Sequence, residues 1–151
     1  MIALHEILVA IDFGEPSRAA LAYARSVAPA FSARLHLVHV VDDLGAHPTP
    51  PTMPAVDLGR LQVELEQEAH KQLEGLMADE LRKGPVAVVV LTSSRPASAI
   101  LAYARDMHID LIVAGTHGRS GFADLFMGSV AQQIVRSAGC PVLTLRQAAA
   151  Q

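Results

Sequence analysis

Residues 115–129 read Gly115-Thr116-His117-Gly118-Arg119-Ser120-Gly121-Phe122-Ala123-Asp124-Leu125-Phe126-Met127-Gly128-Ser129. Just before them, Asp110-Leu111-Ile112-Val113-Ala114 is a short apolar run with β-branched residues, the pattern of a buried strand. Just after them, Val130, Ala131, Ile134, Val135 and Ala138 recur at helical spacing. The segment is therefore a strand, a glycine-punctuated loop and a helix start. Glycine lets backbone approach a ligand closely and accepts positive φ. A helix N-terminus has unpaired N–H groups and a partial positive charge, which suit phosphate. Ser129 adds a hydroxyl, as N-cap or as phosphate donor. Glycine at a strand–helix turn is common for purely structural reasons. Four glycines ending in Gly-Ser at a helix start favour phosphate binding over a plain turn. The spacing is neither GxGxxG nor a Walker A loop, which needs Gly-Lys before Ser or Thr.

Outward from this stretch, strands and helices alternate. Residues 7–11 are a near-continuous apolar run, as in a central strand covered on both faces. Gly14 and Pro16 mark the turn that follows, and Pro16 suits the first turn of a helix. Ala20, Tyr23, Ala24, Val27 and Phe31 then form a helical stripe. Residues 35–41 are the second strand. His36 and His39 fall on its opposite faces, and their spacing is not a zinc signature, so both read as core or edge histidines. Residues 42–55 form a loop, with prolines at 48, 50, 51 and 54. Leu58, Leu61, Leu65, Ala69, Leu73 and Leu76 define the inner face of a long helix, with Glu64, Glu66, Gln67, Glu68 and Lys71 outside. Gly84-Pro85 stops it. Residues 86–91 form a third strand. Pro96 opens a helix with Ile100, Leu101, Ala104 and Met107 inward, and residues 142–145 close the sheet before a frayed tail at 147–151. Five strands alternating with four helices predict a doubly wound parallel sheet with helices on both faces.

Composition limits the function. A chain of 151 residues, 51% apolar, is read as one domain, 1–151, with a full core. A net charge of −3 argues against broad nucleic-acid binding. No apolar stretch reaches transmembrane length, and residues 1–6 do not read as a signal peptide. The single Cys140 forms no internal disulfide, fits a reducing cytoplasm, and reads as a packed small hydrophobe.

Gly115-x2-Gly118-x9-Gly128-Ser129 resembles the ATP-binding signature of the universal stress protein family. The flanking words at 110–119 and 128–131, Cys140-Pro141-Val142-Leu143 and the strand ending in Asp12 resemble it too, so the likeness covers nearly the whole chain. It implies a Rossmann-like sheet of strand order 3-2-1-4-5, which brings Asp12 beside the glycine loop. It implies ATP, with AMP or ADP as alternatives, carried with Mg²⁺. The implied nucleotide-binding positions are Ala10, Asp12, Val40 through its backbone, Gly115, Gly118, Gly128, Ser129, Val130 and Ala131, with Ala114 and Arg119 as further candidates beside them. Arg119 reads equally as a phosphate donor and as a solvated loop cation, and His117 as a loop residue rather than a base. Asp12 has a plainer role open to it, as a turn residue. The chain departs from the family at Gly14, where Ser is frequent, and at Ser94, where Gly is.

Three classes of function compete: a regulatory module, an enzyme (nucleotidyl transferase or ATPase) and a phospho-receiver. A nucleotide-binding regulatory module fits every motif above. A nucleotidyl transferase would want an HxGH motif after the first strand, where Asp12-Phe13-Gly14-Glu15 stands. An ATPase has only Glu15, Asp124 or His117 to orient water. A phospho-receiver would want an Asp ending the third strand, where Thr92 stands. Residues 142–145, short, apolar and last in the implied sheet order, are expected to pair with a second copy in a homodimer. The alternative contact is the long helix, from about 56 to 82.

Overall fold

The computed structural model describes residues 1–52, 54, 56–78, 84–116 and 127–146. The chain runs β1 (Glu6–Ala10), α1 (Glu15–Phe31), β2 (Arg34–Val41), a single 3-10 turn (Leu44–Ala46), α2 (Leu58–Ala78), β3 (Val86–Thr92), α3 (Pro96–Asp106), β4 (Leu111–Gly115), α4 (Ser129–Ser137) and β5 (Val142–Leu145). All five strands are parallel, in the order β3-β2-β1-β4-β5. The doubly wound Rossmann-like fold is as expected, with β3 and β5 at the two edges.

β1 is the axis. Ile7, Leu8 and Val9 are fully buried, because β1 is flanked by β2 and β4 and covered on both faces. Full burial of such a side chain contributes roughly 1.5–3 kcal/mol. Ile7 and Val9 meet Ala20, Ala24 and Ala28 of α1 and Leu73 of α2 on one face. Leu8 meets Ala97 and Ile100 of α3 and Ile134 of α4 on the other. Alanines along α1 let that helix lie close to the sheet.

Some inward assignments fail. Tyr23 and Phe31 are exposed, because α1 turns Ser17, Ala20, Leu21, Ala24 and Ala28 to the sheet instead. Met107 and Val135 are exposed as well, at the flanks of the buried lines of α3 and α4. In α2 the buried Ala69 and Leu73 continue toward the N-terminus through Gln62 and Glu66, not Leu61 and Leu65, which are exposed. The first turns of α2 lie over the loop rather than the core, so polar contacts serve there. Gln62 Oε1 accepts the Leu44 N–H at 3.0 Å, and Glu66 Oε1 accepts the Thr92 hydroxyl at 2.6 Å. Cys140 packs against the second core cluster, and burial pushes its thiol up, so it stays protonated. The tail at 147–151 lies outside the described residues.

His36 is a satisfied core histidine. Its Nε2 lies 2.6 Å from Glu6 Oε2 and its Nδ1 2.7 Å from the Tyr103 hydroxyl. Burial, with the Glu6 charge second, pushes the Tyr103 phenol up, so it remains a donor. Tyr103 therefore donates to Nδ1, and Nε2–H donates to the carboxylate. The network ties β1 and β2 to α3. Tyr103→Phe should leave an acceptor unpaired in the core at His36, which is 1% exposed, and cost about 1–3 kcal/mol. Denaturant unfolding measures it, and an unchanged midpoint refutes it.

Candidate functional site

The chain winds from β1 through β2 to β3 on one side, then crosses back from β3 to β4 on the other side of β1. Ligands in such sheets sit beyond the strand C-termini at this reversal. A cavity of about 320 Å³ opens there. Of the sequence-predicted positions, Ala10 and Asp12 after β1, Val40 on β2, and Ala114 and Gly115 on β4 line it. So do Gly128, Ser129, Val130 and Ala131 at the start of α4. Gly118 and Arg119, with His117 and Asp124, lie outside the described residues. A second cavity of about 320 Å³, at the opposite end of the sheet beside Arg25, Pro29 and Met77, contains none of these positions.

The loop after β1 is tightly closed. Asp12 Oδ1 accepts the Gly14 N–H at 2.8 Å, the turn role the residue type suggested. Ser17, 2% exposed, donates its hydroxyl to the Gly14 carbonyl at 2.9 Å and accepts the Asp12 N–H at 3.3 Å. Phe13 sits between them with φ of 65°, a left-handed residue that reverses the chain. These bonds aim Asp12 at the cavity, which it lines together with Ser17.

Gly115 has a different reason from the one its sequence context suggested. A Cβ there would lie 2.6 Å from the Pro16 carbonyl carbon and 2.8 Å from the Ser17 backbone nitrogen. The missing side chain makes room for the first turn of α1. Neither Gly115 nor Gly128 has positive φ.

Helix α4 begins at Ser129, and its N-cap is Gly128, with no side-chain capping bond. Ser129 is thus the first helical residue and not the cap. The Gly128 N–H is held by the Thr116 carbonyl, and the helical ladder starts with Gln132 N–H to Gly128 O at 2.9 Å. Among the described residues no acceptor meets the N–H groups of Ser129, Val130 and Ala131. Three donors and the positive end of the helix dipole therefore open onto the cavity. Thr116, 4% exposed, continues the lining from β4, and Pro96 and Ile100 close it from α3.

Sequence reasoning missed Ser17 and His39. His39 Nδ1 lies 2.7 Å from the Ile11 carbonyl, its ring centroid is 4.6 Å from that of Phe13, and it lines the cavity. It is neither a core nor an edge histidine. The available signal was a polar residue in the apolar C-terminal half of β2. Among the described residues no three His, Cys, Asp or Glu side chains converge as metal ligands, and no helix is long and apolar enough to cross a membrane.

Gly115→Ala should drive its methyl into α1 and destabilise the fold by about 1–3 kcal/mol, whether or not any nucleotide is present. Thermal unfolding without ligand checks this. An unchanged midpoint would return Gly115 to a purely ligand-facing role.

Comparison with known proteins agrees with this architecture. The model of the universal stress protein family matches residues 4–146. A universal stress protein of Thermus aquaticus is 36% identical over 140 residues, 93% of this chain and 97% of that protein. The solved universal stress protein UspA of Lactobacillus plantarum superposes with a TM-score of 0.77 at 26% identity, covering 97% of this chain and all of that one. A universal stress protein of Archaeoglobus fulgidus, solved in complex with dAMP, shares the fold at a TM-score of 0.60 and 19% identity, over 97% and 100% of the two chains. With its sheet order, its glycine signature and a family match across nearly its whole length, the chain belongs to the universal stress protein family.

Proposed function

We propose that the chain is a nucleotide-binding regulatory module that takes ATP, or AMP or ADP, in the cavity at the head of β1 and β4. The observation that carries this is the first turn of α4, whose three N–H groups have no partner among the described residues and face the same cavity as Asp12 and Val40. Phosphate oxygens satisfy those donors, with the Ser129 hydroxyl beside them. Asp12 meets the ribose, and the apolar walls from Pro96 and Ile100 take the base. Gly118 and Arg119 join as the resemblance implies. The bound nucleotide of the Archaeoglobus relative supports the same class of ligand. Mg²⁺ enters with the polyphosphate. The cytoplasm is the compartment that goes with this reading.

The module binds rather than turns over. Glu15, the described candidate for orienting water, is exposed on α1 and does not line the cavity. A site that holds ground and transition states alike gives no acceleration. Calorimetric titration should give ATP binding by wild type. Ser129→Ala should lose a hydrogen bond to a charged group, about 1.5–3 kcal/mol, or roughly ten- to 150-fold in affinity. Phosphate release should stay far below about 10 s⁻¹. No heat with ATP sinks the binding reading, and fast release promotes the ATPase reading.

We also propose assembly through β5. Its four residues are half-buried at an edge with no Pro or Lys to block pairing. The Ile112 N–H donates to the Pro141 carbonyl at 3.0 Å and the Thr116 N–H to the Leu145 carbonyl at 2.9 Å. Odd-numbered residues of β5 therefore face β4, and the N–H groups of Val142 and Thr144 face outward. A homodimer pairing antiparallel along this edge uses those outward groups. Light scattering should give a dimer for wild type and a folded monomer for Thr144→Pro. A dimeric Thr144→Pro variant moves the contact to α2, where Leu61 and Leu65 are exposed.

A further inference from the structure

We infer that His39 is a positioning residue: its side chain replaces one rung of the β1–β2 ladder and so leaves the backbone of Val40 open to read a nucleobase. The inference rests on the nucleotide reading above. The resemblance gives Val40 a backbone contact to adenine. The ladder identifies the residue that makes that backbone available.

The rungs can be followed one by one. The Arg34 N–H donates to the His5 carbonyl at 2.7 Å, so even-numbered residues of β2 turn their polar groups toward β1. The Ile11 N–H donates to the Val38 carbonyl at 2.8 Å, two residues before the cavity. The next rungs of a parallel ladder would run from the Val40 N–H to the Ile11 carbonyl and from the Phe13 N–H to the Val40 carbonyl. Neither is formed. The Ile11 carbonyl is occupied instead by His39 Nδ1 at 2.7 Å. A carbonyl only accepts, so Nδ1 carries the proton. Phe13, at φ of 65°, turns the chain away from β2, and its ring packs against the imidazole.

Val40 is thereby half-buried in the cavity wall with an N–H and a C=O that have no partner among the described residues. Partly buried backbone groups of this kind are ordinarily paired. On an extended strand the N–H and C=O of one residue point to the same side. They fit a ligand edge with an acceptor beside a donor. A 6-aminopurine has this order, a ring nitrogen next to its amino group. A 6-oxopurine has the reverse order, a ring N–H next to a carbonyl. With the ribose held at Asp12 as proposed above, so that the base cannot turn over, the first order pairs with both Val40 groups and the second with neither. Without the His39 donor, the Ile11 carbonyl would draw in the Val40 N–H, and the ladder would close over the base site.

Amide hydrogen exchange and nucleotide titration on the whole chain test this with His39→Leu, which removes the donor, and His39→Asn, which keeps an N–H near the Nδ1 position. In ligand-free wild type the Val40 amide should exchange as fast as a loop amide. In His39→Leu it should become protected. ATP affinity should fall about tenfold in His39→Leu, recover in His39→Asn, and exceed GTP affinity in wild type. A protected Val40 amide in ligand-free wild type, or equal losses of ATP affinity in both variants, overturns the inference. If wild type binds neither nucleotide while Val40 exchanges fast and His39→Leu protects it, the released rung stands and the nucleotide reading falls. If His39→Leu does not fold, the wild-type exchange rate and the His39→Asn affinity still decide.

Discussion

The burial of β1 on all sides constrains everything else in this molecule. Ile7, Leu8 and Val9 have no exposed surface, and β1 is the middle strand, with β2 on one side and β4 on the other. A strand so enclosed can release its chain only at its end. There, α1 must leave from one face while β2 and β4 stand on either side. The space left over at that end is the cavity. It arises from the reversal of winding direction, and the residues around it come from six elements, β1, α1, β2, α3, β4 and α4, that meet around the end of β1.

The same constraint accounts for the polar detail around Asp12. A chain that must leave a parallel sheet abruptly abandons its ladder partners, and the orphaned groups need new ones. Ser17 meets the Asp12 N–H and the Gly14 carbonyl, Asp12 meets the Gly14 N–H, and His39 meets the Ile11 carbonyl. Side chains thus take over from backbone on the β1 side of the turn. On the β2 side the Val40 groups have no partner among the described residues, and Val40 lines the cavity. The left-handed Phe13 is a local cost that the surrounding bonds hold in place.

Much of this was legible from residue order. Apolar runs gave the five strands because buried parallel strands carry no alternation to confuse them, and β5 begins and ends where its residues 142–145 suggested. The glycine signature and the family resemblance together pointed to positions of which the nine described ones line one cavity. What periodicity could not supply was the rotation of each helix about its axis. Tyr23, Leu61, Leu65 and Val135 sit at helical spacing from true core residues, yet one step around the helix they meet solvent. Hydrophobicity alone does not rank Ala24 above Tyr23; the closeness of α1 to the sheet does. Glu66 is the converse, a charged residue turned inward because Thr92 and Gln62 provide partners. His39 was opaque for a similar reason. Its role depends on which rung of a ladder is missing, and a single strand does not reveal its neighbour's register.

The glycine signature itself separates into unlike physical tasks. Gly115 is excluded from bearing a side chain by the backbone of Pro16 and Ser17, contacts that exist with no ligand bound. Gly128 instead begins a helix while tied back to Thr116, and it carries no side chain that would cap the N–H groups after it. One glycine docks the helix that orients Asp12, and the other starts α4 without a side-chain cap. Equal identity in a motif therefore does not mean equal physical work. A side chain at the first position acts by moving α1 and Asp12. The second position opens a helix whose first residues line the cavity. In this fold, then, a single short pattern encodes both the packing that assembles the cavity and the helix start that borders it.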